Sequence, residues 1–146
     1  MPSSSKTSTV TRFILPILFA ILPGLGGQEG ELPPAVDRKV DFEKEIRPLL
    51  SSRCFKCHSS KKQKGGLRLD LRATALKGGD SGAAIEPGKS AESRLVLMVA
   101  GKAKKQMPPS GKPLLPEQVG VLRAWIDQGA TWPEDPAGSS RIESDH

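Results

Sequence analysis

The chain has 146 residues, a length typical of one domain. Hydrophobic residues make up 36%, which excludes wholesale disorder, and 15 glycines with 13 prolines exclude a long bundle or coiled coil. Aromatic residues make up only 4%, so a small core would bury little apolar area unless another group filled it. The net charge of +6 fits an acidic protein partner. The sequence has no basic helix with interleaved aromatic residues, so we do not expect it to bind nucleic acid.

The N-terminal segment has the order of a secretory signal peptide. Two basic residues precede a short apolar run over 13–25, and small residues follow it. A bilayer-spanning helix needs about 20 residues, so the run is short for a span. We therefore expect a signal peptide in 1–27, cleaved near Gly26–Gln28, and an exported, periplasmic domain. If it is not cleaved, the segment would instead anchor the protein in the membrane.

Residues 28–40 are charged and contain two prolines, and we interpret them as a linker to a domain over 41–133. Asp41 is a good N-cap for a first helix, in which the apolar side chains between Phe42 and Leu50 share one face. Pro48 predicts a kink, or a helix that truly starts there. We expect this helix to run into residues 54–58.

The next residues, 59–66, are expected to form a flexible basic loop, and alternating leucines over 66–71 predict a short extended segment. A brief helical turn over 72–76 and a glycine-rich loop follow. A second helix is predicted over about 91–100, with Ser90 as its cap.

A third helix is predicted from Pro116 to about Gln128, with Gly129 as its stop, and residues 134–146 as a disordered tail. We therefore expect an all-α fold of about three helices and long loops, packed around a group that replaces a missing aromatic core. The predicted core comprises Phe42, Leu49, Leu69, Leu95, Leu122 and Trp125.

The two cysteines of the sequence lie in the motif Cys54-Phe55-Lys56-Cys57-His58. C-x-x-C-H is the attachment motif of c-type haem. Two thiols about one helical turn apart can reach the two vinyl groups of one porphyrin. The adjacent imidazole then becomes the proximal ligand of the iron. An exported domain also agrees with haem attachment, which takes place outside the cytoplasm.

Three other interpretations of these residues stay open. A secreted chain could form a Cys54–Cys57 disulfide. A thioredoxin-like redox pair would need a surrounding βαβ pattern, which the sequence does not show. A zinc site would need His146 as its fourth ligand, beside His58 and the two cysteines.

A second axial ligand of the iron is expected from a methionine. Met1 lies in the predicted signal peptide, and Met98 lies in an apolar helix where core packing is expected. Met107 precedes two prolines, which stiffen an extended loop that can present a thioether on the far side of the haem. Thioether ligation raises the reduction potential and closes the iron to other ligands.

Three segments together resemble the planctomycete-type cytochrome c family: DFEKEIRPLLSSRCFKCH at 41–58, GGLRLDLRATALKGGDSGAAIEPGKSAESRL at 65–95, and MPPSGKPLLPEQVGVLRAWIDQGATWP at 107–133. The resemblance implies a class I-like cytochrome with haem thioethers at Cys54 and Cys57. It also implies His58 as proximal ligand and Met107 as distal ligand. The sequence departs from the family in two ways: Leu115 replaces a capping hydroxyl residue, and the chain stops where family members usually continue into larger exported proteins.

The expected function is one-electron transfer by a mono-haem c-type cytochrome that is not an enzyme. Eight lysines flank the two ligand segments and predict a basic rim for an acidic redox partner: Lys56, Lys61, Lys62, Lys64, Lys102, Lys104, Lys105 and Lys112. The alternatives are a haem-based sensor or peroxidase-like site with an open iron position, and a haem module that docks on a larger exported enzyme.

Overall fold

The computed structural model describes residues 30–133. Its elements are four α-helices, two strands, one π-helix and one 3-10 helix. In chain order they are the π-helix Phe42–Ile46, α1 (Arg47–Arg53), β1 (His58–Ser59), β2 (Lys62–Gln63), the 3-10 helix Lys64–Gly66, α2 (Arg72–Lys77), α3 (Arg94–Val99) and α4 (Pro116–Asp127).

The expectation of an all-α fold was wrong. Strands β1 and β2 form a short antiparallel hairpin in which His58 pairs with Gln63 and Ser59 pairs with Lys62. Helices hold 38% of the described residues, so the fold has modest mixed content. The hairpin lies in the segment predicted to be a flexible loop. Backbone hydrogen bonds order it, and these depend on no side-chain pattern visible in the sequence.

The first helix begins as predicted but has two parts. Asp41 is the N-cap, and its side chain accepts a hydrogen bond from the backbone N–H of Lys44 at 3.0 Å. The π-helix comes first, and α1 then begins one residue before Pro48. Proline has no backbone N–H to donate. The first N–H groups of an α-helix have no partner within the helix, so Pro48 fits the first turn of α1. Helix α1 ends at Arg53, directly before residues 54–58, into which we expected it to run.

The second predicted helix is shorter than expected, and Ser90 does not cap it. Helix α3 begins at Arg94 with Ser93 in the N-cap position. Ser90 is buried, and its N–H and hydroxyl both donate to the carboxylate of Asp127 at 2.8 Å. Ser90 therefore binds Asp127, which is 37 residues away in sequence, and does not cap the helix that follows it.

The third predicted helix is confirmed to within one residue at its end, because α4 spans Pro116–Asp127. Leu115 is its N-cap residue and has no side-chain oxygen. Gln118 supplies half of a capping box instead, since its side-chain oxygen accepts from the backbone N–H of Leu115 at 2.9 Å. Gly129 follows the helix with φ of 100°, as expected of a C-terminal stop.

All six predicted core residues are buried. The prediction that the protein lacks an aromatic core was wrong, because three aromatic side chains form a cluster. The Phe42 ring centroid lies 5.8 Å from that of Trp125 and 4.6 Å from that of Trp132, and the two indoles are 5.5 Å apart. Trp132 is only 6% exposed and belongs to the core, although it is not among the six predicted core residues.

The segment interpreted as a linker contacts α4. The backbone N–H of Val36 donates to the carbonyl of Gly120 at 3.2 Å. Gln128 accepts from the N–H of Val40 at 3.0 Å and donates to the carbonyl of Arg38 at 2.8 Å. These bonds satisfy backbone groups of an irregular segment, so residues 36–40 lie along the helix.

Within residues 30–133, no helix has the length and apolar composition needed to cross a bilayer. The predicted signal peptide, its cleavage site, the polar tail and His146 lie outside the described residues.

Candidate haem-binding site

The two cysteines lie on a tight turn at the end of α1. Cys54 is the C-cap residue, and its N–H donates to the carbonyl of Leu50 at 2.8 Å. The carbonyl of Cys54 then accepts from the N–H groups of Cys57 at 3.1 Å and His58 at 3.0 Å. The helix end and this turn place both sulfur-bearing residues and the imidazole within five consecutive positions of one fixed backbone.

Both cysteines are free thiols and half-buried. Burial raises the pKa of the Cys54 thiol to about 11, and the nearby Arg53 lowers it by a smaller amount. Cys54 is therefore a neutral thiol at pH 7.

The imidazole of His58 has a fixed orientation. Its Nδ1 lies 3.3 Å from the backbone carbonyl oxygen of Leu67. A carbonyl can only accept, so this contact favours the tautomer with the proton on Nδ1 and the lone pair on Nε2. A hydrogen bond from the second ring nitrogen is the usual way in which a protein orients a metal-ligating histidine.

The residues after His58 return to it along an extended segment. The N–H of Leu69 donates to the carbonyl of His58 at 2.9 Å, and Leu69 itself is buried. The loop around Gly79 packs on the chain just before this segment, because the N–H of Asp80 donates to the carbonyl of Gly65 at 2.8 Å. A Cβ on Gly79 would lie 2.3 Å from that same carbonyl oxygen, so only glycine allows this approach.

Met107 lies on a separate loop after α3. It is half-buried against the core, and its N–H donates to the carbonyl of Met98 at 3.1 Å. The loop borders a concave surface of about 360 Å³ that is lined by Lys105, Gln106, Met107, Pro108, Pro109, Gly111 and Pro113. The described contacts therefore attach Met107 to Met98 and to its own loop, and not to His58.

One contact joins the two ligand segments. The guanidinium of Arg53, directly before Cys54, donates to the carbonyl of Lys112, which is on the Met107 loop. The structure thus brings Cys54, Cys57 and His58 together on one turn and ties the Met107 loop to the end of α1.

The donor set fits a covalently held haem. Two free thiols and an imidazole with Nε2 available are the groups that c-type haem requires. Within residues 30–133, no group of three or more His, Cys, Asp or Glu side chains is arranged to hold a metal ion. Zinc would have to be completed by His146, which is outside the described residues.

Sequence reasoning missed Arg53 and the segment Leu67–Asp70. The alternating leucines around Leu69 did signal an extended segment, but not its contact with His58. That contact depends on the hairpin and the glycine loop, which return the chain to the motif.

Two free thiols and an oriented imidazole on one turn are the groups that haem sites of the cytochrome c class use. Residues 54–111 match the family model described as planctomycete cytochrome C. The match supports the resemblance seen in the sequence: residues 54–111, which include the C-x-x-C-H motif and Met107, are similar to this family.

Among solved structures, the chain is similar to Kuenenia stuttgartiensis hydrazine synthase, with a TM-score of 0.43 and 25% identical residues. The similarity covers 65% of this chain and 16% of that chain, so this chain spans only a small part of the length of that protein. No curated protein matches this chain.

Proposed function

We propose that the protein is an exported mono-haem c-type cytochrome that accepts one electron from a reduced donor and passes it to an oxidised acceptor. Cys54 and Cys57 would hold the haem through thioethers, and Nε2 of His58 and the sulfur of Met107 would bind its iron. The haem supplies an iron that changes between the ferrous and ferric states.

The contact between Nδ1 of His58 and the carbonyl of Leu67 carries this proposal. It fixes the ring and leaves Nε2 available beside two free thiols. The protein's own contribution is to hold the imidazole and to cover the site with half-buried apolar side chains, of which Phe55 and Leu67 are the nearest in sequence.

Met107 suits the role of the second ligand because its loop has few conformational alternatives. Pro108 and Pro109 restrict the backbone after it, and the bond to Met98 anchors the backbone at Met107 itself. The contact of Arg53 with Lys112 joins this loop to the cysteine turn. A closed, six-coordinate iron favours electron transfer over ligand binding or peroxide chemistry.

The redox partner that we propose is an acidic protein. All eight lysines that flank the two ligand segments are exposed, and none forms an ion pair within residues 30–133. Because Arg53 joins the two segments, their charges lie on connected parts of the surface. Unpaired positive charge on such a surface speeds the approach of an acidic partner at low salt.

Salt dependence tests the partner proposal. We expect the electron-transfer rate with a small acidic redox protein to fall as ionic strength rises, and to fall further in Lys62→Gln/Lys64→Gln. The matched control is Lys39→Gln/Lys89→Gln, which removes the same charge from exposed positions outside residues 54–83 and 101–113. Equal rates in the two double variants, with no dependence on salt, would refute the acidic partner.

The ligand assignment is tested by the optical spectrum of holoprotein made with a periplasmic haem-attachment system. Met107→Leu is compared with Met98→Leu, since the chain offers two half-buried methionines of the same type. The ferric sulfur-to-iron band should vanish only in Met107→Leu. A band lost only in Met98→Leu would reverse the assignment. A wild-type spectrum that lacks the band and shifts with cyanide would indicate an open iron and a sensor or peroxidase-like site.

A further inference from the structure

An extended segment, Leu67–Asp70, holds His58 and its neighbours through three hydrogen bonds. The carbonyl of Leu67 contacts Nδ1 of His58 at 3.3 Å, and the N–H of Leu69 donates to the carbonyl of His58 at 2.9 Å. The third bond runs from the N–H of Ser60 to Oδ2 of Asp70 at 2.9 Å. Only this third bond uses a side chain of the segment.

The carboxylate of Asp70 has a fixed orientation. Alternation along extended chain places Arg68 and Asp70 on the same side of the segment, opposite the buried Leu69. Arg68 donates to both carboxylate oxygens, each at 2.9 Å, and the two side chains are only 21% and 18% exposed. A bidentate pair of this kind fixes geometry as well as charge.

The hydrogen bond from Arg68 lowers the pKa of Asp70, so the carboxylate stays charged at neutral pH. A charged acceptor makes a stronger bond to the Ser60 N–H than a neutral one. Ser60 lies in the turn between β1 and β2, directly after the strand that carries His58. The carboxylate therefore ties the hairpin turn to the segment that orients the imidazole.

We propose that Asp70 is a positioning residue for His58: the carboxylate, held by Arg68, fixes the Ser60 turn against Leu67–Asp70 and so keeps the Leu67 carbonyl on Nδ1. This inference rests on the proposed function, because it concerns the bond between His58 and the haem iron. A firm bond at Nδ1 makes the imidazole a more electron-rich ligand and favours the ferric state.

Hydrogen exchange and the midpoint potential of the holoprotein test this role together. In Asp70→Ala, the Ser60 amide should exchange at least about tenfold faster, as expected when a bond to a charged acceptor is lost. The midpoint potential should rise, since a weaker contact at Nδ1 leaves a less basic ligand. A residue that merely stabilises the fold would change the first quantity without the second.

Three further variants keep the test decisive. Asp70→Asn keeps an acceptor oxygen for Ser60 and loses the charge, so its potential should lie between wild type and Asp70→Ala. Arg68→Gln should also be intermediate, and these two carry the test if Asp70→Ala does not accumulate. Asp37→Ala is the control, because Asp37 is exposed and has no hydrogen bond or ion pair within residues 30–133.

The outcomes separate this inference from the proposed function. Faster exchange at Ser60 with a potential equal to that of Asp37→Ala would overturn the positioning role and leave the cytochrome assignment intact. A wild-type protein that attaches no haem would overturn both. A midpoint potential that is highest in Asp70→Ala, intermediate in Asp70→Asn and Arg68→Gln, and unchanged in Asp37→Ala supports the role of Asp70.

Discussion

The aromatic cluster of Phe42, Trp125 and Trp132 differs in kind from the haem-side region, residues 54–83 and 101–113. In the cluster, three rings lie within 6 Å of one another and exclude water. In the haem-side region only Leu69 and Ala75 are buried. Backbone hydrogen bonds, close glycine contacts and one ion pair hold this second region.

The difference indicates that the two regions are stabilised by different interactions. Apolar burial stabilises the cluster by itself, at about 25 cal/mol for each Å² removed from water. The haem-side region instead presents half-buried apolar groups, among them Cys54, Phe55, Leu67 and Met107. The proposed haem would cover these groups, so we expect the cluster to be stable without haem and the second region to depend on it.

The largest effect is expected at Trp125. Trp125→Ala should lower the free energy of unfolding by about 3–5 kcal/mol, the usual loss for a buried Trp or Phe truncated to Ala. The side chain is 2% exposed, and its ring N–H donates to the carbonyl of Thr131 at 2.8 Å. Urea unfolding measures the change. Leu115→Ala is the control, since Leu115 is 60% exposed, and should change stability by less than about 0.5 kcal/mol.

A smaller effect is expected in the haem-side region at Gly79. Its new Cβ would lie 2.3 Å from the carbonyl oxygen of Gly65 and 2.9 Å from the nitrogen of Leu67. Gly79→Ala should therefore cost about 1–3 kcal/mol, as overpacking does elsewhere. Ser81→Ala, an exposed position of the same loop, should be neutral. A Gly79→Ala protein as stable as wild type would show that the loops do not pack as described.

Gln128 tests how firmly residues 36–40 lie on α4. Gln128→Ala removes the bonds to the Val40 N–H and the Arg38 carbonyl. Since the site is partly exposed, we expect a loss of about 0.5–1.5 kcal/mol. Amide exchange at Val40 should become faster while that of the aromatic cluster does not change. Unchanged exchange at Val40 would contradict the contact.

The smallest effect is the pH dependence contributed by Asp70. Its pKa is lowered in the folded state, mainly by the hydrogen bond from Arg68, so it stabilises the fold above its unfolded-state pKa of about 3.9. That stability is lost as the pH falls through the lowered folded-state pKa. The urea midpoint of Asp70→Asn should therefore fall less steeply below about pH 4 than that of wild type. The control is Asp37→Asn, at an exposed position.

The sequence predicts best what is local. The cap at Asp41, the start of α4 at Pro116 and the six core positions follow from spacing within one helix or segment. The turn of the C-x-x-C-H motif is also local, because its bonds join residues three or four apart.

The sequence-based predictions fail where a residue's structure depends on a partner far away in the sequence. Ser90 has the composition of a cap, but the carboxylate of Asp127 holds it. Trp132 follows the last helix in sequence, yet it packs on Phe42 from the first. The hairpin at His58 depends on the returning segment around Leu69, and no periodicity in residues 58–63 reports that contact.

The central claim is that Cys54 and Cys57 hold one haem covalently, and the intact mass of the protein tests it most directly. Protein made with a periplasmic haem-attachment system is denatured and compared with Cys54→Ser/Cys57→Ser made in the same way. The account predicts wild type heavier than its processed chain by one haem, and the double variant at the mass of the chain alone. Wild type without added mass, or lighter by two hydrogens as in a Cys54–Cys57 disulfide, would contradict it.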